Sequence, residues 1–415
     1  MNQEPRTKNQ EPRTKNQEPR NMNILILNWR DVSHPLSGGA EIVTMEHAKR
    51  WVAMGHTVTW FTSWYPEAKQ KEVVEGVYII RRAGSLTVYL HALWYMLFRG
   101  NAFDVIVDEV HGFPFFSPLV TKKPVVVFIH EIAGEIWDFM YPFPINVIGK
   151  YIEKHYFRFY KHCLFWTDAE STVHELVERG IPKEQCIAIP CPIILDTKFL
   201  DPSSLFLGKN TKKQNDTNQY LRTKNQELRT KNKEPTYIFV SRVVKMKGIE
   251  EVIKAFSFII RSQPQAALWI VGGGEVAYRE KLQRMIADYN VEKHVCFLGK
   301  VPEEKKVELM KKAHILLHAS VKEGWGLVVL EAASVGTPAV VYDVPGLRDV
   351  VKNEKTGVVL SENSPKEMAK QAILLYKDKH RYAQYQKEGN VWVNSLSWKD
   401  VAEESLMWLE KAIVP

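Results

Sequence analysis

Residues 237–271 read YIFVSRVVKMKGIEEVIKAFSFIIRSQPQAALWIV. Two short apolar runs without alternation, 237–240 and 267–271, flank a helical pattern at 249–261. Runs of this kind are typical of parallel strands that are buried on both faces, and parallel neighbours need a crossover helix between them. The stretch therefore predicts one strand–helix–strand unit of a parallel α/β sheet.

The same alternation extends to both sides of this stretch. In the first half it predicts strands at 24–27, 57–62, 77–81, 105–107, 125–129, 164–167 and 186–189, with helices at 40–54, 86–98, 147–162 and 171–179. In the second half it adds strands at 295–298, 315–318 and 339–342, with helices at 278–289, 305–312 and 327–335. Two doubly wound α/β domains with a cleft between them follow, and ligands of such sheets bind past the carboxyl ends of the strands.

The predicted domain boundaries follow the composition. We expect a repeat tail at 1–22, a first domain at 23–205, a low-complexity insert at 206–235, a second domain at 236–385, and C-terminal helices at 386–415 that pack back on the first domain. The tail and the insert share a polar repeat in which nothing apolar recurs. Such segments cannot bury enough surface to offset the entropy of ordering, so we predict them to be disordered.

The charge of the chain lies mostly in the repeat segments. Its formal net charge is +8, but residues 1–22 hold five basic and three acidic residues, and residues 209–235 hold eight and three. The remaining residues are nearly neutral. The basic balance therefore gives no support for a nucleic-acid partner.

The four cysteines form no CxxC pair and no zinc-type spacing, which favours a reducing cytoplasm. The N-terminus lacks the order of a signal peptide, and the longest apolar stretch, 86–98, is too short to span a bilayer. We therefore expect a cytoplasmic protein that is soluble or peripheral on the inner face of the membrane.

The stretch KEGWGLVVLE at 322–331 carries two carboxylates, Glu323 and Glu331. Gly324 and Gly326 let the backbone approach a ligand, and the helix that begins near Leu327 points unpaired N–H groups at it. Such an arrangement suits a nucleotide sugar, with one carboxylate bonding hydroxyls of the sugar and the other those of the ribose.

Three further strand ends are followed by residues suited to the same ligand. Gly38 and Gly39 open the helix after the first strand, and His130 follows the strand 125–129. Arg242 and Lys247 follow the strand 237–240 and could converge on a diphosphate.

Two other ligand classes are disfavoured. The run 272–274 fits a loose dinucleotide pattern, but the next strand ends in Gly299-Lys300 and not in the acidic residue that a nicotinamide site needs. No Asp-x-Asp occurs anywhere, so we predict no metal site and no cofactor. Cations and helix amides would then have to neutralise the diphosphate.

Together these segments resemble the retaining glycosyltransferases of family 4, which have the GT-B fold of two facing Rossmann-like domains. The most specific matches are Ser241-Arg242…Lys247-Gly248 and the Glu323…Glu331 pair, supported by Gly38-Gly39 and His130-Glu131. The resemblance covers nearly everything from residue 23 onward except the insert.

The resemblance implies a role for each matched residue. The second domain would bind the donor, and His130 and the Gly38-Gly39 loop would reach it from the acceptor domain. The donor-domain roles are Arg242 and Lys247 on the diphosphate, Glu323 on the sugar, Glu331 on the ribose, and Gly299, Lys300 and Val301 beside the base. Two departures stand out. Trp325 replaces the usual Phe, which by the resemblance keeps an aromatic wall at the donor site. At the hinge 190–196, Pro-Cys-Pro stands in place of Pro-Asn-Gly.

The resulting interpretation is a metal-independent, retaining hexosyltransferase that uses a UDP- or GDP-linked sugar and a glycan or lipid-linked acceptor. Two alternatives remain open at this point: a nucleotide-sugar epimerase of the same fold, and a non-catalytic nucleotide-sugar-binding protein. A basic stripe of Lys150, Lys154, Arg158 and Lys161, with aromatic residues nearby, also suggests contact with anionic lipid.

Overall fold

The computed structural model describes residues 21–193 and 234–414. The predicted tail up to residue 20, the insert up to residue 233 and the last three hinge residues, 194–196, lie outside this part of the chain.

The first domain is built on an eight-stranded sheet with the order β3-β4-β2-β1-β5-β6-β7-β8. Its strands are β1 (Asn23–Leu27), β2 (Thr57–Thr62), β3 (Lys71–Val74), β4 (Val77–Arg81), β5 (Val105–Val110), β6 (Val125–Ile129), β7 (Leu164–Thr167) and β8 (Cys186–Ala188). All neighbours are parallel except β3, which runs antiparallel to β4 at the edge. In the centre, Ile24 pairs with Val58 on one side and Val105 on the other.

The second domain has a six-stranded, all-parallel sheet with the order β11-β10-β9-β12-β13-β14. Its strands are β9 (Thr236–Val240), β10 (Ala267–Val271), β11 (Val295–Gly299), β12 (Ile315–His318), β13 (Ala339–Val341) and β14 (Gly357–Val359). The chain order reverses between β9 and β12, so their carboxyl ends form the switch point at which such sheets bind ligands.

Helices cover the sheets because strands buried on both faces need an apolar layer on each side. In the first domain they are α1 (Gly39–Ala53), α2 (Val88–Arg99), α3 (Ile136–Met140), α4 (Ile145–Tyr156) and α5 (Glu170–Glu178). The rest are α6 (Ile249–Ser262), α7 (Val276–Asp288), α8 (Glu303–Lys312), α9 (Leu327–Ser334), α10 (Leu347–Val350), α11 (Pro365–Lys377), α12 (Lys379–Asn394) and α13 (Trp398–Ile413). No helix within the described residues is long and apolar enough to cross a bilayer.

The prediction from the sequence missed two edge strands and made one helix too long. β3 is half polar and β14 has three residues, so neither gives a strong apolar run. The helix predicted at 147–162 ends at Tyr156, and a tighter 3₁₀ turn follows. After this turn Tyr160 donates a hydrogen bond to Asp108 at 2.7 Å. Arg158 and Lys161 therefore lie beyond α4.

The C-terminal helix α13 returns to the first domain and packs against α1. Ser405 Oγ lies 2.9 Å from His47 Nδ1 and 3.2 Å from Trp51 Nε1, all of them buried. Within the hinge, the Ile193 carbonyl accepts a hydrogen bond from Trp398 Nε1 at 2.9 Å. The last helix thus ties the hinge to the first domain.

The start of α6 depends on a glycine. Gly248 has a φ of +70°, and a Cβ at this position would lie 1.8 Å from the Ala319 carbonyl oxygen. The backbone at Ala319 cannot move aside as a flexible side chain could. The loop after β9 and the segment after β12 therefore approach closely only because Gly248 lacks a side chain.

We predict that Gly248→Ala lowers the free energy of unfolding by more than about 3 kcal/mol, through strain and overpacking together. Gly180→Ala is the matched control, because Gly180 has a φ of +84° but nothing within 4 Å of the added Cβ. The control should lose only about 1 kcal/mol in urea unfolding. Equal losses in the two variants would contradict the steric account.

Candidate active site

The carboxylate of Glu323 is the centre of a polar cluster at the carboxyl ends of β9 and β12. Lys247 Nζ donates to both of its oxygens at 2.8 Å, Ser320 Oγ donates to Oε1 at 2.6 Å, and His318 Nε2 lies 3.0 Å from Oε1. Burial alone would raise the pKa of Glu323, but Lys247 and His318 hold it well below its usual range. The carboxylate is therefore ionised.

Local structure explains why these side chains meet. Lys247 ends a 3₁₀ turn just after β9, and His318 is the last residue of the neighbouring strand β12. Parallel strands bring their carboxyl ends to one edge, so both side chains reach the same loop. Gly346 completes the fit, since a Cβ there would lie 2.2 Å from the Glu323 carbonyl oxygen.

His130, just past β6, lies between two carboxylates of the first domain. Its Nδ1 is 2.5 Å from Asp168 Oδ2 and its Nε2 is 3.2 Å from Glu109 Oε1. Burial disfavours the charged ring, but Asp168 and Glu109 outweigh it and raise the pKa of His130 to about 10. Both ring nitrogens are occupied, so His130 is a fixed positive charge and is unsuited to act as a base.

The predicted residues of the two domains approach each other across the cleft. A Cβ at Gly324 would lie 2.9 Å from the His130 carbonyl oxygen, and one at Gly39 would lie 3.2 Å from Leu327 Cδ1. Gly39 begins α1 and Leu327 begins α9, so the N-termini of two helices face the same space. Their unpaired N–H groups make this space suitable for an anion.

Two polar contacts hold the domains in this arrangement. Lys322 Nζ lies 2.5 Å from Glu175 Oε1, and Ser171 Oγ donates to Asp349 Oδ2 at 2.5 Å. Both contacts start from α5: Glu175 contacts the loop after β12, and Ser171 contacts α10.

Arg242 and the segment from Gly299 to Val301 lie at the same edge of the second sheet. Arg242 is exposed, and no carboxylate within residues 21–193 and 234–414 forms an ion pair with it. Gly272 N donates to the Gly299 carbonyl at 2.8 Å, which sets the end of β11 beside the glycine loop. Lys300 is exposed there and Val301 is half-buried.

The glycine run 272–274 has a packing function. A Cβ at Gly272 would lie 1.7 Å from the Ser241 carbonyl oxygen, and one at Gly274 would lie 2.4 Å from that of Val243. The glycines thus let the loop after β10 press on the loop that carries Arg242.

Glu331 lies one turn into α9 and has its own partner. Lys306 Nζ is 2.8 Å from Glu331 Oε2 and 2.6 Å from Glu303 Oε1. Burial raises the pKa of Glu331, and Lys306 opposes that rise. No motif in the sequence singles out Lys306, because it lies on the distant helix α8.

Trp325 differs from its predicted role as a wall of the donor site. Its side chain is buried, and its indole N–H donates to the Cys191 carbonyl at 3.0 Å. The Cys191 thiol in turn donates to Asp168 Oδ1 at 2.8 Å. Trp325 therefore anchors the Glu323 loop to the hinge, because the larger indole has a donor that the usual Phe lacks.

Sequence reasoning also missed four residues of the site: Glu109, Asp168, His318 and Ser320. Each lies at or just past the carboxyl end of a strand, where ligand-binding residues of parallel sheets are expected. That rule alone would have found them, but none belongs to a glycine-rich or basic motif.

One group among the described residues has the geometry to hold a metal ion. The ligand atoms of Glu109, His111 and His130 all lie within 4.8 Å of one another. Glu109 Oε1 is 2.9 Å from His111 Nε2, so direct hydrogen bonds already satisfy the group. Any bound cation would lie on the first-domain side of the cleft, and metal independence remains a prediction.

Comparison with known proteins places this cleft in a family. The family model described as "Glycosyltransferase Family 4" matches residues 37–197, and the model described as "Glycosyl transferases group 1" matches residues 222–392. The chain is 32% identical over 145 residues to N-acetyl-alpha-D-glucosaminyl L-malate synthase of Bacillus anthracis, which covers 35% of the chain and 37% of that enzyme.

A second relative is the GDP-mannose-dependent alpha-(1-6)-phosphatidylinositol monomannoside mannosyltransferase of Mycobacterium tuberculosis. It is 30% identical over 178 residues, or 40% of the chain and 44% of that enzyme. The aligned segments thus span less than half the length of either relative.

A solved structure, Anabaena HepE in complex with UDP and glucose, matches with a TM-score of 0.69 at 17% identity, covering 94% of the chain and 100% of HepE. At this identity the likeness shows the fold alone, which is GT-B. The two family models divide at the same point as the two sheets, and the matched segments contain the Glu323 cluster, His130 and the paired helix N-termini. The chain belongs to the family 4 glycosyltransferases: its first domain matches the family 4 model, and its second domain matches the group 1 model.

Proposed function

We propose that the chain is a retaining glycosyltransferase that moves a hexosyl group from a UDP- or GDP-linked sugar to an acceptor hydroxyl without a metal. The main support for this proposal is that groups from both domains converge on one cleft. The Lys247–Glu323 pair, the charged His130 and the N-termini of α1 and α9 meet in one cleft although they come from distant parts of the sequence.

In this proposal the diphosphate occupies the space before α9. Lys247 and Arg242 neutralise it, together with N–H groups at the helix start. Charge-assisted hydrogen bonds of this kind are among the strongest in proteins. The diphosphate competes with Glu323 for Lys247, which frees a Glu323 oxygen to accept a hydrogen bond from a sugar hydroxyl.

The nucleoside would extend along the edge of the second sheet. Glu331 would accept hydrogen bonds from the ribose, while Lys306 holds it in position. Gly299, Lys300 and Val301 would lie beside the base. The complex of the structural neighbour HepE with UDP supports a nucleotide ligand for this fold.

The transfer step follows from this arrangement. An acceptor oxygen bonds to the anomeric carbon on the face that the diphosphate leaves, and the bond from that carbon to the diphosphate oxygen breaks. The acceptor proton passes to an oxygen of the departing diphosphate, so charge and atoms balance. Both ring nitrogens of His130 are occupied, which fits a reaction without a separate base.

His130 contributes a permanent positive charge at the first-domain wall of the cleft. Its backbone also contacts Gly324, next to the carboxylate that would hold the sugar. A preorganised charge in a site of low dielectric stabilises developing negative charge without reorganisation. This role needs the Asp168 and Glu109 contacts, which keep the ring charged.

The acceptor in this proposal is a glycan or a lipid-linked molecule, with peripheral contact to the cytoplasmic face of a membrane. The mycobacterial relative is named for a phosphatidylinositol acceptor, which supports the lipid-linked class. Thermal-shift screening of nucleotide sugars, followed by mass spectrometry, tests the whole assignment. An epimerase would convert its nucleotide sugar without an acceptor, and a binding protein would form no product.

Glu323→Ala and Arg242→Ala should each lower the transfer rate at least about a hundredfold while the protein stays folded, since each removes a charged contact to the reacting group. Arg284→Ala, at an exposed position on α7, is the control and should retain full activity. Undiminished turnover in either site variant would contradict the assignment.

We expect turnover in excess EDTA to equal turnover in added Mg²⁺ or Mn²⁺, because cations of the protein neutralise the diphosphate. His111→Ala removes one member of the candidate metal group and should not make activity depend on added metal. Loss of activity in EDTA, restored by a divalent cation, would show that the site needs an ion.

The charged state of His130 predicts a pH dependence of stability. Unfolding releases a proton between the unfolded pKa near 6.5 and the folded value of about 10. The stabilisation is therefore complete below about pH 6.5 and is lost as the pH rises toward 10, by at most about 1.4 kcal/mol per pH unit.

Urea unfolding of wild type and His130→Gln from pH 6 to pH 10, both in EDTA, measures this effect. The variant should show a flatter dependence, and His91→Gln, at an exposed position on α2, should follow wild type. Parallel curves for wild type and His130→Gln would show that the ring is not held charged.

A further inference from the structure

The outer surface of α2 is apolar. Leu90, Trp94 and Phe98, at spacings of four residues, are 62%, 65% and 71% exposed, and the rings of Trp94 and Phe98 are stacked. The opposite side of the helix, with Ala92 and Met96, is buried in the domain core. A helix at the surface of a globular protein normally has a polar outer side, so α2 lacks a partner for half of its surface.

A second apolar surface runs from the end of α3 along α4. Phe143, Ile148 and Tyr151 are 81%, 53% and 66% exposed. Along the same side of the helix, Tyr151 is followed by the exposed Lys154, three residues on. The first two turns of α4 are thus apolar outside, and its last turn is basic.

The two surfaces lie on the same face of the first sheet. Buried residues of α2 and the segment after α4, among them Met96, Phe157 and Tyr160, belong to one core cluster. Aromatic contacts connect the surfaces: Tyr89 of α2 lies 5.2 Å from Phe113, which is followed by Phe116 at 5.4 Å and Phe159 at 5.9 Å, as ring centroid distances. We call the outer surfaces of α2 and of residues 141–156 the apolar face.

The charges around the apolar face are nearly all positive. Arg99 is the only charged residue from 83 to 103, and it is exposed at the end of α2. From 139 to 163 the only acidic residue is Glu153, which is buried and accepts the N–H groups of Ala133 and Gly134. Lys154, Arg158 and Lys161 are exposed. The exposed Asp138 beside α4 is paired with Lys150. An apolar centre with a mainly basic border complements an anionic lipid surface.

The apolar face also borders the cleft. Phe139, on α3, lies 5.4 Å from Lys245 Nζ, measured to the ring centroid. Lys245 belongs to the same turn as Lys247. A molecule held by its lipid at this face would therefore have its head group near the loop that carries the donor-site cations.

We propose that the apolar face binds the surface of an anionic phospholipid bilayer and presents a lipid-borne acceptor to the cleft. The contact differs from the basic stripe predicted from sequence, because Lys150 is engaged by Asp138 and the aromatic and aliphatic side chains occupy the centre. Lipid binding stands on the surface itself, whereas the acceptor role rests on the proposed function.

Flotation of the full chain with vesicles tests the lipid contact. The wild type should bind phosphatidylcholine vesicles that contain phosphatidylglycerol, and added salt should weaken this binding. It should bind vesicles of pure phosphatidylcholine less well. The double variant Trp94→Ser/Phe98→Ser should bind at least about tenfold more weakly, because two large side chains no longer enter the bilayer. Lys154→Glu/Arg158→Glu should lose the preference for phosphatidylglycerol.

Val391→Ser/Met407→Ser is the matched control, since it removes two exposed apolar side chains from α12 and α13. It should bind vesicles like wild type. Melting temperatures of all variants should match, because each altered side chain is exposed.

Failure of the wild type to bind the anionic vesicles, or equal binding by the Trp94→Ser/Phe98→Ser variant, would overturn the proposal. So would a dimer in sedimentation analysis that this variant dissociates, because the face would then join two copies of the chain. Consumption of the donor in lipid-free solution, measured in parallel, should be unchanged in the face variants. This readout separates failure of the lipid contact from failure of the proposed transfer.

Discussion

The arrangement of the cleft depends on one ionised carboxylate, that of Glu323, in a partly buried position. An ionised carboxylate in such surroundings is costly unless several donors satisfy it, and Lys247, Ser320 and His318 do so. These partners come from the ends of two adjacent parallel strands, so the pairing order of the second sheet determines the site. The same contact keeps Lys247 at the place where a diphosphate would need a cation. Glu323 is thus both a stabilising partner in the free protein and the proposed ligand of the sugar.

A second polar chain connects the hinge to the first-domain wall. Trp325 donates to the Cys191 carbonyl, the Cys191 thiol donates to Asp168, and Asp168 and Glu109 hold His130 between them. The loop with Glu323 and the charged imidazole are therefore positioned by one continuous set of hydrogen bonds. Pro-Cys-Pro at the hinge is compatible with this arrangement because the contact to Trp325 uses a backbone carbonyl and the thiol supplies the contact to Asp168.

Sequence reasoning found the doubly wound fold, because buried parallel strands leave unbroken apolar runs such as 125–129 and 267–271. It also singled out residues with a local motif, namely the glycine pairs, Arg242, Lys247 and Glu323, whose roles in ligand binding stay predictions. It could not find Lys306, whose importance depends on which distant element lies beside it. It assigned Trp325 to the ligand because the choice between lining a site and anchoring a hinge depends on side-chain direction. The helix at 147–162 was too long in the prediction, since periodicity does not reveal where a 3₁₀ turn replaces the last helical turns.

In the proposed donor complex, a nucleoside diphosphate takes Lys247 from Glu323 and lies against the start of α9. A crystal structure of the chain with UDP or GDP measures this directly. We expect phosphate oxygens within hydrogen-bonding distance of Lys247 Nζ and of the backbone N–H groups near Leu327. Arg242 should turn toward the same phosphate group, and the contact between Lys247 and Glu323 should be broken. A nucleotide bound elsewhere, with Lys247 still held by Glu323 and Arg242 directed into solvent, would contradict it.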